Sequence, residues 1–351
     1  MSSDNLVLSV IIPNYNYQNY VGQAIESALA VDWPDVEVIV VDDGSTDGSR
    51  AVIESFGSRI TALFQENSGQ VIAYNLGYAH SRGDVVIFLD SDDMLHPSIM
   101  REFARVWRPG VSKVQFQMKT VDANGMPLGS VFPQFHVVPT PQMLRRWVQT
   151  AAAHPTPPGS GNAYSRWFLE RLFPLDKAHG YAGDSCVIAA APLLGDVITV
   201  AKPLVSYRMH GKNDGAISTL NVLQFRRPLL QAQERWAYSR QVARSVGLNL
   251  PDQGFRRSLS VMQYRAASFR LFRSQHPIEG DTTARLLSDV LTAAMTPQGR
   301  GTKEALAITV WVFMVLISPL PVARKIISWK YTPGTRPGAL RLLLSRLGVV
   351  R

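Results

Sequence analysis

Short, almost uninterrupted apolar runs alternate with helix-like patterns in the first third of the chain, and this alternation restricts the fold more than any other feature. Strand-length apolar runs occupy residues 6–13, 36–41 and 85–89, with a weaker run at 60–64. Such runs are typical of strands buried on both faces. Between them apolar residues recur at helical spacing, as at 21–29. Strands that alternate with helices predict crossover units and a doubly wound, parallel sheet.

A second group of elements is expected further along the chain. Residues 113–118 have a strand-like pattern and lead to a turn at Asn124 and Gly125, which predicts an antiparallel hairpin added to the sheet. Proline and glycine over 155–161 indicate a loop of the kind that shapes a binding pocket. The remaining expected elements are a helix after Pro139 or Pro141, a helix over 183–194 and a strand over 197–209. The expected fold class is therefore α/β, with a mixed, doubly wound sheet.

The character of the sequence changes near residue 220. Residues 1–105 carry 5 Lys/Arg and 15 Asp/Glu, a net charge of −10, whereas the rest of the chain carries 31 and 12, a net charge of +19. Arginine-rich helical stretches follow residue 220. We therefore predict an α/β domain over 1–220 and a basic, largely helical appendage over 221–351. Basic surfaces attract anionic lipid headgroups or nucleic acid.

The most apolar stretch of the chain lies within this basic region, at 306–320. Its 15 residues fall short of the roughly 20 needed to span a bilayer, and Pro319 interrupts its end. The stretch is flanked by Arg and Lys residues. We expect peripheral association with an anionic membrane rather than a membrane span or binding to nucleic acid. Packing of this segment inside the protein is the alternative.

The compartment is predicted from the first residues and from the cysteine content. The start, MSSDN, lacks the basic and long apolar regions of a signal peptide. The single cysteine, Cys186, excludes an internal disulfide framework and a cysteine-based zinc site. We therefore expect a cytoplasmic protein, with the membrane contact on the inner face, and a buried Cys186.

Polar and acidic residues stand at the carboxyl ends of three predicted strands. Pro13 and Tyr15 lie at the end of the first, Asp42 and Asp43 follow the second, and the acidic run 90–93 follows the fourth. A doubly wound sheet binds ligands beyond the carboxyl ends of its strands. We therefore expect these residues to line one rim of the sheet, where a polar ligand or a cation would sit.

The acidic run after the fourth strand indicates a cation site. Asp90 and Asp92 are two residues apart and can face one cleft, where two unpaired charges would be costly. Magnesium or manganese would resolve that conflict, because these ions take carboxylate and phosphate oxygens as ligands. The alternative interpretation is a solvated acidic turn or a helix cap before His96.

Two interpretations of the paired acids after the second strand can both hold. The residues that follow them favour a turn into a helix that Ser45 or Thr46 would cap. A cap does not explain two consecutive acids, Asp42 and Asp43. One of them could accept hydrogen bonds from a base or a ribose.

Six short motifs occur along the first 210 residues. They are SVIIPNYN at 9–16, VDDGSTD at 41–47, ENSG at 66–69, GDVVIFLDSDD at 83–93, GD at 183–184 and YRMH at 207–210. In order and spacing they resemble the family 2 glycosyltransferases, which have the GT-A fold. The match covers roughly residues 7–215. VDDGSTD and FLDSDD form a strong joint signature, although each alone is modest.

The resemblance implies which residues bind the donor. Those that hold the nucleotide are Pro13, Tyr15 and one or both of Asp42 and Asp43. Those that serve the metal and the diphosphate are Asp90, Ser91 and Asp92, with Asp92 as the direct metal ligand. The implied cofactor is a divalent cation, Mn²⁺ or Mg²⁺.

The resemblance also implies a general base, Asp184, which opens a later helix. The family often has Glu-Asp here, whereas this chain has Gly183 and Asp184. It also often has Arg before the Asn where this chain has Tyr74 and Asn75, so phosphate contacts are expected to be redistributed. Arg208 and His210 would then cover the diphosphate and favour its departure. For His210 a structural role is the alternative.

The expected function is that of an inverting glycosyltransferase. It would move sugar from a nucleotide diphosphate sugar, with UDP-sugar as the expected donor, to a hydroxyl of a lipid-linked or polysaccharide acceptor in cell-surface polysaccharide or glycolipid synthesis. The alternative is a catalytically inactive GT-A protein that binds nucleotide sugar and whose basic tail binds membrane or nucleic acid. A nucleotidyltransferase would need a glycine-rich, basic phosphate loop near the first strand, which this sequence lacks.

Overall fold

The computed structural model describes most of the chain. The described residues are 5–151, 154–176, 183–210, 220–296, 298–332, 335 and 338. Up to residue 210 the elements are β1 (Leu8–Asn14), α1 (Val21–Leu29), β2 (Val36–Asp43), α2 (Ser49–Glu54), β3 (Thr61–Gln65), α3 (Gln70–Ala79), β4 (Val85–Phe88), β5 (Met94–Leu95), α4 (Ile99–Val106), β6 (Val111–Val121), β7 (Pro127–Phe132), α5 (Pro141–Ala151), β8 (Asn162–Ser165), α6 (Arg166–Leu169), α7 (Gly183–Leu194) and β9 (Asp196–Arg208). Those that follow are α8 (Val222–Ser245), α9 (Leu259–Leu271), α10 (Thr283–Met295), α11 (Thr302–Ile317) and α12 (Leu320–Tyr331).

The described strands form one mixed sheet. Their order is β3-β2-β1-β4-β8-β6-β9-β5, with β7 paired to β6. The strands β3, β2, β1 and β4 are parallel, whereas β8 is antiparallel to β4. The predicted hairpin is present, because β6 and β7 pair in antiparallel fashion. The expected mixed, doubly wound sheet is confirmed.

Both faces of the parallel strands are buried, as their apolar runs predicted. Val10 of β1 and Ile87 of β4 belong to the core layer on one face, together with residues of α1. Ile11 and Phe88 belong to the layer on the other face, together with residues of α3 and α7. Because side chains alternate along a strand, one continuous apolar run supplies both layers.

The register of the strands brings their carboxyl ends to one rim. Asn14 at the end of β1 lies opposite Asp42 of β2, and Ile11 lies opposite Phe88 at the end of β4. The chain leaves β4 directly into the acidic run 90–93. The residues predicted to share this rim therefore start from adjacent strand ends.

The chain folds into two compact units that are not consecutive in sequence. Unit 1 comprises Met1–His210 and Glu234–Asp252, and unit 2 comprises Gly211–Gln233 and Gln253–Arg351. The helix α8 contributes its first residues to unit 2 and its remaining residues to unit 1. The sheet and the predicted site residues belong to unit 1.

Unit 2 is a helical unit with its own core, and some of its arginines are internal. Apolar residues of α9, α10, α11 and α12 pack together. Arg265 is fully buried and donates hydrogen bonds to Asp281 at 2.6 Å and to Asp289 at 2.9 Å. Part of the basic character of this region is therefore neutralised inside the fold. Within the described residues, we find no helix whose length and apolar content would let it cross a membrane.

Candidate functional site

Asp42, at the end of β2, is held by a closed set of hydrogen bonds. Its Oδ1 accepts from Asn14 Nδ2 at 2.7 Å and from Ser45 Oγ at 2.6 Å, and its Oδ2 accepts from the Ser45 amide at 3.1 Å. The carboxylate is buried. Asp42 thus ties the end of β1 to the turn after β2, so it shapes the rim at which the nucleotide was predicted to bind.

The helix that follows this turn begins later than predicted. Ser45 and Thr46 were expected to cap it, but α2 begins at Ser49 and neither side chain caps it. The Ser45 hydroxyl donates to Asp42 instead. Near the start of α2, the Asp47 carboxylate accepts a hydrogen bond from the Ser49 amide at 2.9 Å. The expected cap was therefore wrong, because the buried Asp42 carboxylate takes the serine hydroxyl.

Asp43 organises the loop that leads into α3. Its Oδ1 accepts from Gln65 Nε2 at 2.6 Å and from the Ser68 amide at 2.8 Å, and its Oδ2 accepts from the Gly69 amide at 2.8 Å. Gly44, the next residue, has a φ of +74°, and a Cβ there would lie 2.6 Å from the Asn67 amide nitrogen. Only glycine fits at this turn.

Two further predicted residues stand at the end of β1. The Pro13 carbonyl accepts a hydrogen bond from Ser91 Oγ at 2.7 Å, which joins the end of β1 to the acidic run after β4. Tyr15 is 44% exposed, although it belongs to a strand end whose other residues are largely packed. An exposed aromatic ring at the rim suits a base or ribose as a contact.

The acidic run after β4 concentrates negative charge. Burial, followed by the charges of Asp93, Asp92 and Asp184, raises the pKa of Asp90 well above its usual value. Burial and Asp92 raise the pKa of Asp93 to about 7. Asp93 Oδ2 is buried and has no hydrogen-bond partner among the described residues. Three neighbouring carboxylates thus share a space in which the described protein neutralises them incompletely.

The carboxylates of Asp90 and Asp92 have the chemistry of a site for a hard divalent cation. Oxygen ligands are those that Mn²⁺ and Mg²⁺ prefer, and these ions often use one or two carboxylates with substrate phosphates. No cluster of three or more His, Cys, Asp or Glu residues suited to a metal occurs in the part of the chain that the structure describes. A cation here would therefore need oxygens from water or from a substrate to complete its coordination.

His210 contacts the predicted metal ligand directly. Its Nε2 lies 2.9 Å from Asp92 Oδ2, and only 2% of its side chain is exposed. The ring stacks on Tyr20 at a centroid distance of 4.9 Å and meets the edge of Tyr17 at 5.9 Å. This contact restrains the orientation of the Asp92 carboxylate. This is how a residue beside a metal ligand acts.

Arg208 is hydrogen-bonded to the backbone of the acidic run. Its Nε donates to the Asp92 carbonyl at 2.9 Å, and its two terminal nitrogens donate to the Ala123 carbonyl at 2.8 Å and to Gln23 at 2.7 Å. The side chain is fully buried and lies over the ring of Tyr20. These contacts make Arg208 a brace of the acidic run, and its predicted contact with a diphosphate stays a prediction.

Asp184, the predicted general base, opens α7 and is half-buried. Burial raises its pKa, while backbone hydrogen bonds from Ser185 and Gly159 and the charge of Arg235 act in the opposite direction. The loop predicted to shape a pocket lies against it, because a Cβ on Gly159 would be 3.5 Å from Asp184 Oδ2. The same point is 3.6 Å from the Tyr74 hydroxyl.

Tyr74 links the predicted base to the acidic run. Burial, followed by the charges of Asp90 and Asp184, raises the pKa of this tyrosine well above its usual value. Asp184 also raises the pKa of Asp90. The three groups therefore lie within electrostatic reach of one another. The structure brings the end of β4 and the start of α7 close together. Within the described residues the Tyr74 hydroxyl has no hydrogen-bond partner.

Sequence reasoning missed a buried polar group within electrostatic range of Asp184. Lys113 of β6 is fully buried, and its Nζ donates to Thr156 Oγ1 at 2.9 Å. Burial lowers the pKa of Lys113 to about 7, while Asp184 acts to raise it. The ring nitrogen His154 Nε2 is buried nearby, and burial together with Lys113 and Arg235 lowers the pKa of this histidine well below its usual value. A lysine inside a predicted buried strand was the signal that could have identified this group.

Comparison with known proteins agrees with this geometry. The family model described as Glycosyl transferase family 2 matches residues 9–173. An uncharacterized glycosyltransferase of Nostoc is 38% identical over 213 residues, which cover 59% of this chain and 66% of that protein. The putative teichuronic acid biosynthesis glycosyltransferase TuaG of Bacillus subtilis is 40% identical over 91 residues, which cover 25% of this chain and 36% of that protein. This chain thus spans less than two thirds of the length of these relatives.

A solved structure supports the fold. TarS of S. aureus, residues 1–349, in complex with UDP-GlcNAc superposes with a TM-score of 0.52 at 16% identity. The match covers 93% of this chain and 92% of TarS 1–349. The family model agrees with the predicted family over residues 9–173, and the predicted GT-A fold with a helical C-terminal region is confirmed.

Proposed function

We propose that this chain transfers a sugar from a nucleotide diphosphate sugar to a hydroxyl acceptor, because the model of glycosyl transferase family 2 matches residues 9–173. The observation that carries the proposal is the convergence of Asp90, Tyr74 and Asp184, which come from the end of β4, from α3 and from α7. A Cβ on Gly159 would lie 3.5 Å from Asp184 Oδ2 and 3.6 Å from the Tyr74 hydroxyl, and the charges of Asp90 and Asp184 both raise the pKa of Tyr74. Sugar transfer needs two such regions. One must hold a leaving diphosphate, and the other must take a proton from the acceptor.

The donor would lie along the rim formed by the ends of β1, β2 and β4. Tyr15 offers an exposed ring to the nucleotide, whereas Asp42 and Asp43 keep the strand ends and the loop before α3 in place. UDP-sugars are the first donors to test, since the solved TarS structure with the same fold holds UDP-GlcNAc. Ser91 would support the diphosphate by joining the rim at Pro13 to the acidic run.

A divalent cation fits the acidic run after β4. Asp92 and Asp90 would hold Mn²⁺ or Mg²⁺, which would neutralise the charge that develops on the leaving diphosphate. Two features support this assignment, namely the raised pKa of Asp90 and the buried Asp93 oxygen that has no hydrogen-bond partner among the described residues. His210 would keep Asp92 in the orientation that the cation needs.

Asp184 would act as the general base. An acceptor hydroxyl that attacks the sugar carbon opposite the diphosphate loses its proton to the carboxylate, while the bond from that carbon to the diphosphate breaks. This geometry inverts the configuration of the sugar. Asp184 must be ionised for this step, and the backbone amides of Ser185 and Gly159 together with the charge of Arg235 favour its charged form.

The acceptor is proposed to be a growing polysaccharide or a lipid-linked saccharide of the cell surface, with synthesis on the cytoplasmic side of the membrane. The partial similarity to TuaG and the basic composition of the chain beyond residue 220 support this assignment. The alternative of an inactive nucleotide-sugar-binding protein is disfavoured by the placement of Asp90, Tyr74 and Asp184 within electrostatic reach of one another.

The proposal is tested with a panel of nucleotide sugars. Release of the nucleoside diphosphate is measured with Mn²⁺, with Mg²⁺ and with a chelator, using the purified full chain and water as the acceptor where no saccharide is supplied. We expect metal-dependent release that is lost in Asp184→Asn and kept in Asp35→Asn, since Asp35 lies in an exposed ion pair with Arg82. Binding of UDP with no turnover of any donor would support the inactive alternative. Equal turnover by Asp184→Asn would overturn the assignment of the base.

A further inference from the structure

One side of α11 and the start of α12 form an exposed apolar surface in unit 2. We call this surface the α11 face, and its members are Leu306, Val310, Met314, Ile317, Leu320 and Val322. Leu306 is 63% exposed and Ile317 is 68% exposed. The spacing of the α11 members, at four, four and three residues, places them along one side of the helix.

The opposite side of α11 is fixed in the core of unit 2. Its buried residues are Ala305, Ile308, Thr309, Val312, Val315 and Leu316. Arg270 of α9 donates to the Val315 carbonyl at 3.0 Å and so holds α11 to its neighbour. The helix is therefore apolar around most of its circumference, yet the protein core uses only one side of it.

This arrangement allows contact with a membrane but does not allow a span. The 16 residues of α11 measure roughly 24 Å at about 1.5 Å per residue, less than the hydrocarbon thickness of about 30 Å. A helix with one side in a protein core can only lie in the plane of the interface, with its free apolar side towards the acyl chains. Contiguous exposed apolar patches of this kind commonly mark an interaction surface.

Charge around the α11 face selects the partner. Arg324 and Lys325 follow Val322 on α12 and are exposed, and Lys303 is exposed at the other end of α11. Residues 253–351 carry 15 Lys/Arg and 4 Asp/Glu, a net charge of +11. A second copy of this chain would present the same positive charge, which disfavours pairing. An anionic lipid surface supplies both the apolar layer and the opposite charge.

We propose that the α11 face is a membrane-docking surface, which inserts among the headgroups of an anionic bilayer while Arg324 and Lys325 contact lipid phosphates. This inference specifies the membrane association that belongs to the proposed function. It concerns unit 2 alone and needs neither the donor nor the acceptor.

Vesicle co-sedimentation of the full chain tests the apolar part. The vesicles contain phosphatidylglycerol and phosphatidylcholine, and the variant Val310→Ser/Ile317→Ser is compared with the wild type. Because the substitutions remove two large apolar side chains that would enter the acyl layer, we expect the partition coefficient of the variant to fall by about 10-fold or more. Met126→Ser/Leu128→Ser is the matched control, since both residues are exposed in unit 1, at 64% and 52%, and lie outside the α11 face. This control should bind vesicles as the wild type does.

Two double variants that remove the same charge test the basic part. Arg324→Gln/Lys325→Gln should lose most of the preference for phosphatidylglycerol over pure phosphatidylcholine vesicles. Arg50→Gln/Arg101→Gln removes the same charge from exposed ion pairs of unit 1 and should keep that preference. Loss of the preference in both double variants would mean that net charge alone drives binding, and it would overturn the role of these two residues.

Three results would overturn the inference. The first is wild-type vesicle binding by Val310→Ser/Ile317→Ser. The second is no vesicle binding by the wild type at any phosphatidylglycerol content. The third is a wild-type dimer in analytical ultracentrifugation that Val310→Ser/Ile317→Ser converts to a monomer, because the α11 face would then join two copies. Circular dichroism and thermal melting confirm that each variant folds. If vesicle binding is as expected but no donor turns over, the catalytic proposal fails and this one stands.

Discussion

The ends of β2 and β4 both carry neighbouring acidic residues, yet the protein treats their charges differently. At the end of β2, Asp42 and Asp43 each accept three hydrogen bonds from side chains and amides of the surrounding turns. At the end of β4, burial and neighbouring carboxylates raise the pKa of Asp90 well above its usual value and that of Asp93 to about 7. The oxygens of the first pair are supplied with hydrogen-bond donors within the fold. In the second group, Asp93 Oδ2 is buried without a hydrogen-bond partner among the described residues.

This difference separates a structural role from a chemical one at two sites with similar sequences. A buried carboxylate with three donors stabilises the backbone that supplies them. Carboxylates that raise one another's pKa cost folding energy, and a fold keeps such a group where a ligand or cation compensates for it. Substitutions at one strand end at a time, with stability or turnover measured for each variant, test this difference.

The largest effect is expected from Asp92→Asn. Turnover of the nucleotide sugar should fall by about 10²- to 10⁴-fold, because the proposed cation would lose a charged ligand and the leaving diphosphate would lose its compensation. The melting temperature without metal should stay the same or rise, since one of three crowded charges is removed. Steady-state assays and thermal melting of the same samples give both numbers. A variant that loses stability and turnover in parallel would place Asp92 in the structural class with Asp42.

Asp42→Ala should show the opposite pattern. Removal of the carboxylate leaves the buried Asn14 amide and the Ser45 hydroxyl without their acceptor. We expect the free energy of unfolding to fall by about 3 kcal/mol, as for other buried charged hydrogen-bond acceptors. Urea denaturation measures this change. The control is Asp35→Ala, in an exposed ion pair, which should cost far less. Equal losses in the two variants would contradict the bracing role of Asp42.

The stability of the metal-free protein should depend on pH through Asp93. Its folded pKa of about 7 lies above the ordinary value of 3.8, so the folded state holds the proton more tightly. The stability that this group contributes is complete below pH 3.8 and is lost as the pH rises through 7. Asp93→Asn should therefore gain melting temperature over the wild type at pH 8 but not at pH 4.

The comparison with Asp93→Asn is needed because other buried groups act in the opposite sense. The pKa of Lys113 is lowered to about 7 and that of His154 lies well below its usual value, so both contribute stability that rises with pH. Their contributions are shared by the variant and the wild type and cancel in the difference. A difference in melting temperature that does not change between pH 4 and pH 8 would contradict the raised pKa of Asp93.

Local sequence predicted much of the sheet and some of the site. The run at 36–41 became β2 because strands buried on both faces are apolar at every position. The helix over 183–194 was predicted with its final bounds, which placed Asp184 in the first turn of α7. The family motifs identified the rim residues. In these cases the residues that determine the structure, or that form the motif, lie within a few positions of one another in the chain.

Contacts between distant segments limited the rest. The partners of the Arg208 guanidinium could not be predicted locally, because it donates to Gln23 and Ala123, which lie 185 and 85 residues away in the chain. Its contact with a diphosphate stays a prediction. The expected cap by Ser45 was wrong because the buried Asp42 accepts its hydroxyl. Lys113 escaped notice because the strand pattern at 113–118 does not show what surrounds its side chain, and only the fold shows that Thr156 and Asp184 lie near it. Local patterns predict the elements, whereas side-chain partners depend on topology.

His210 gives the smallest and most selective test, because it acts on Asp92 without belonging to the acidic run. In His210→Ala the Asp92 carboxylate loses the contact at 2.9 Å that orients it, so the apparent affinity for Mn²⁺ should fall by about 10-fold. Turnover at saturating Mn²⁺ should fall much less than in Asp92→Asn. Titration of Mn²⁺ in the transfer assay separates the two quantities, and His80→Ala, at an exposed helix end, serves as the control. An unchanged Mn²⁺ affinity in His210→Ala would mean that the acidic run after β4 is positioned by Arg208 and the backbone alone.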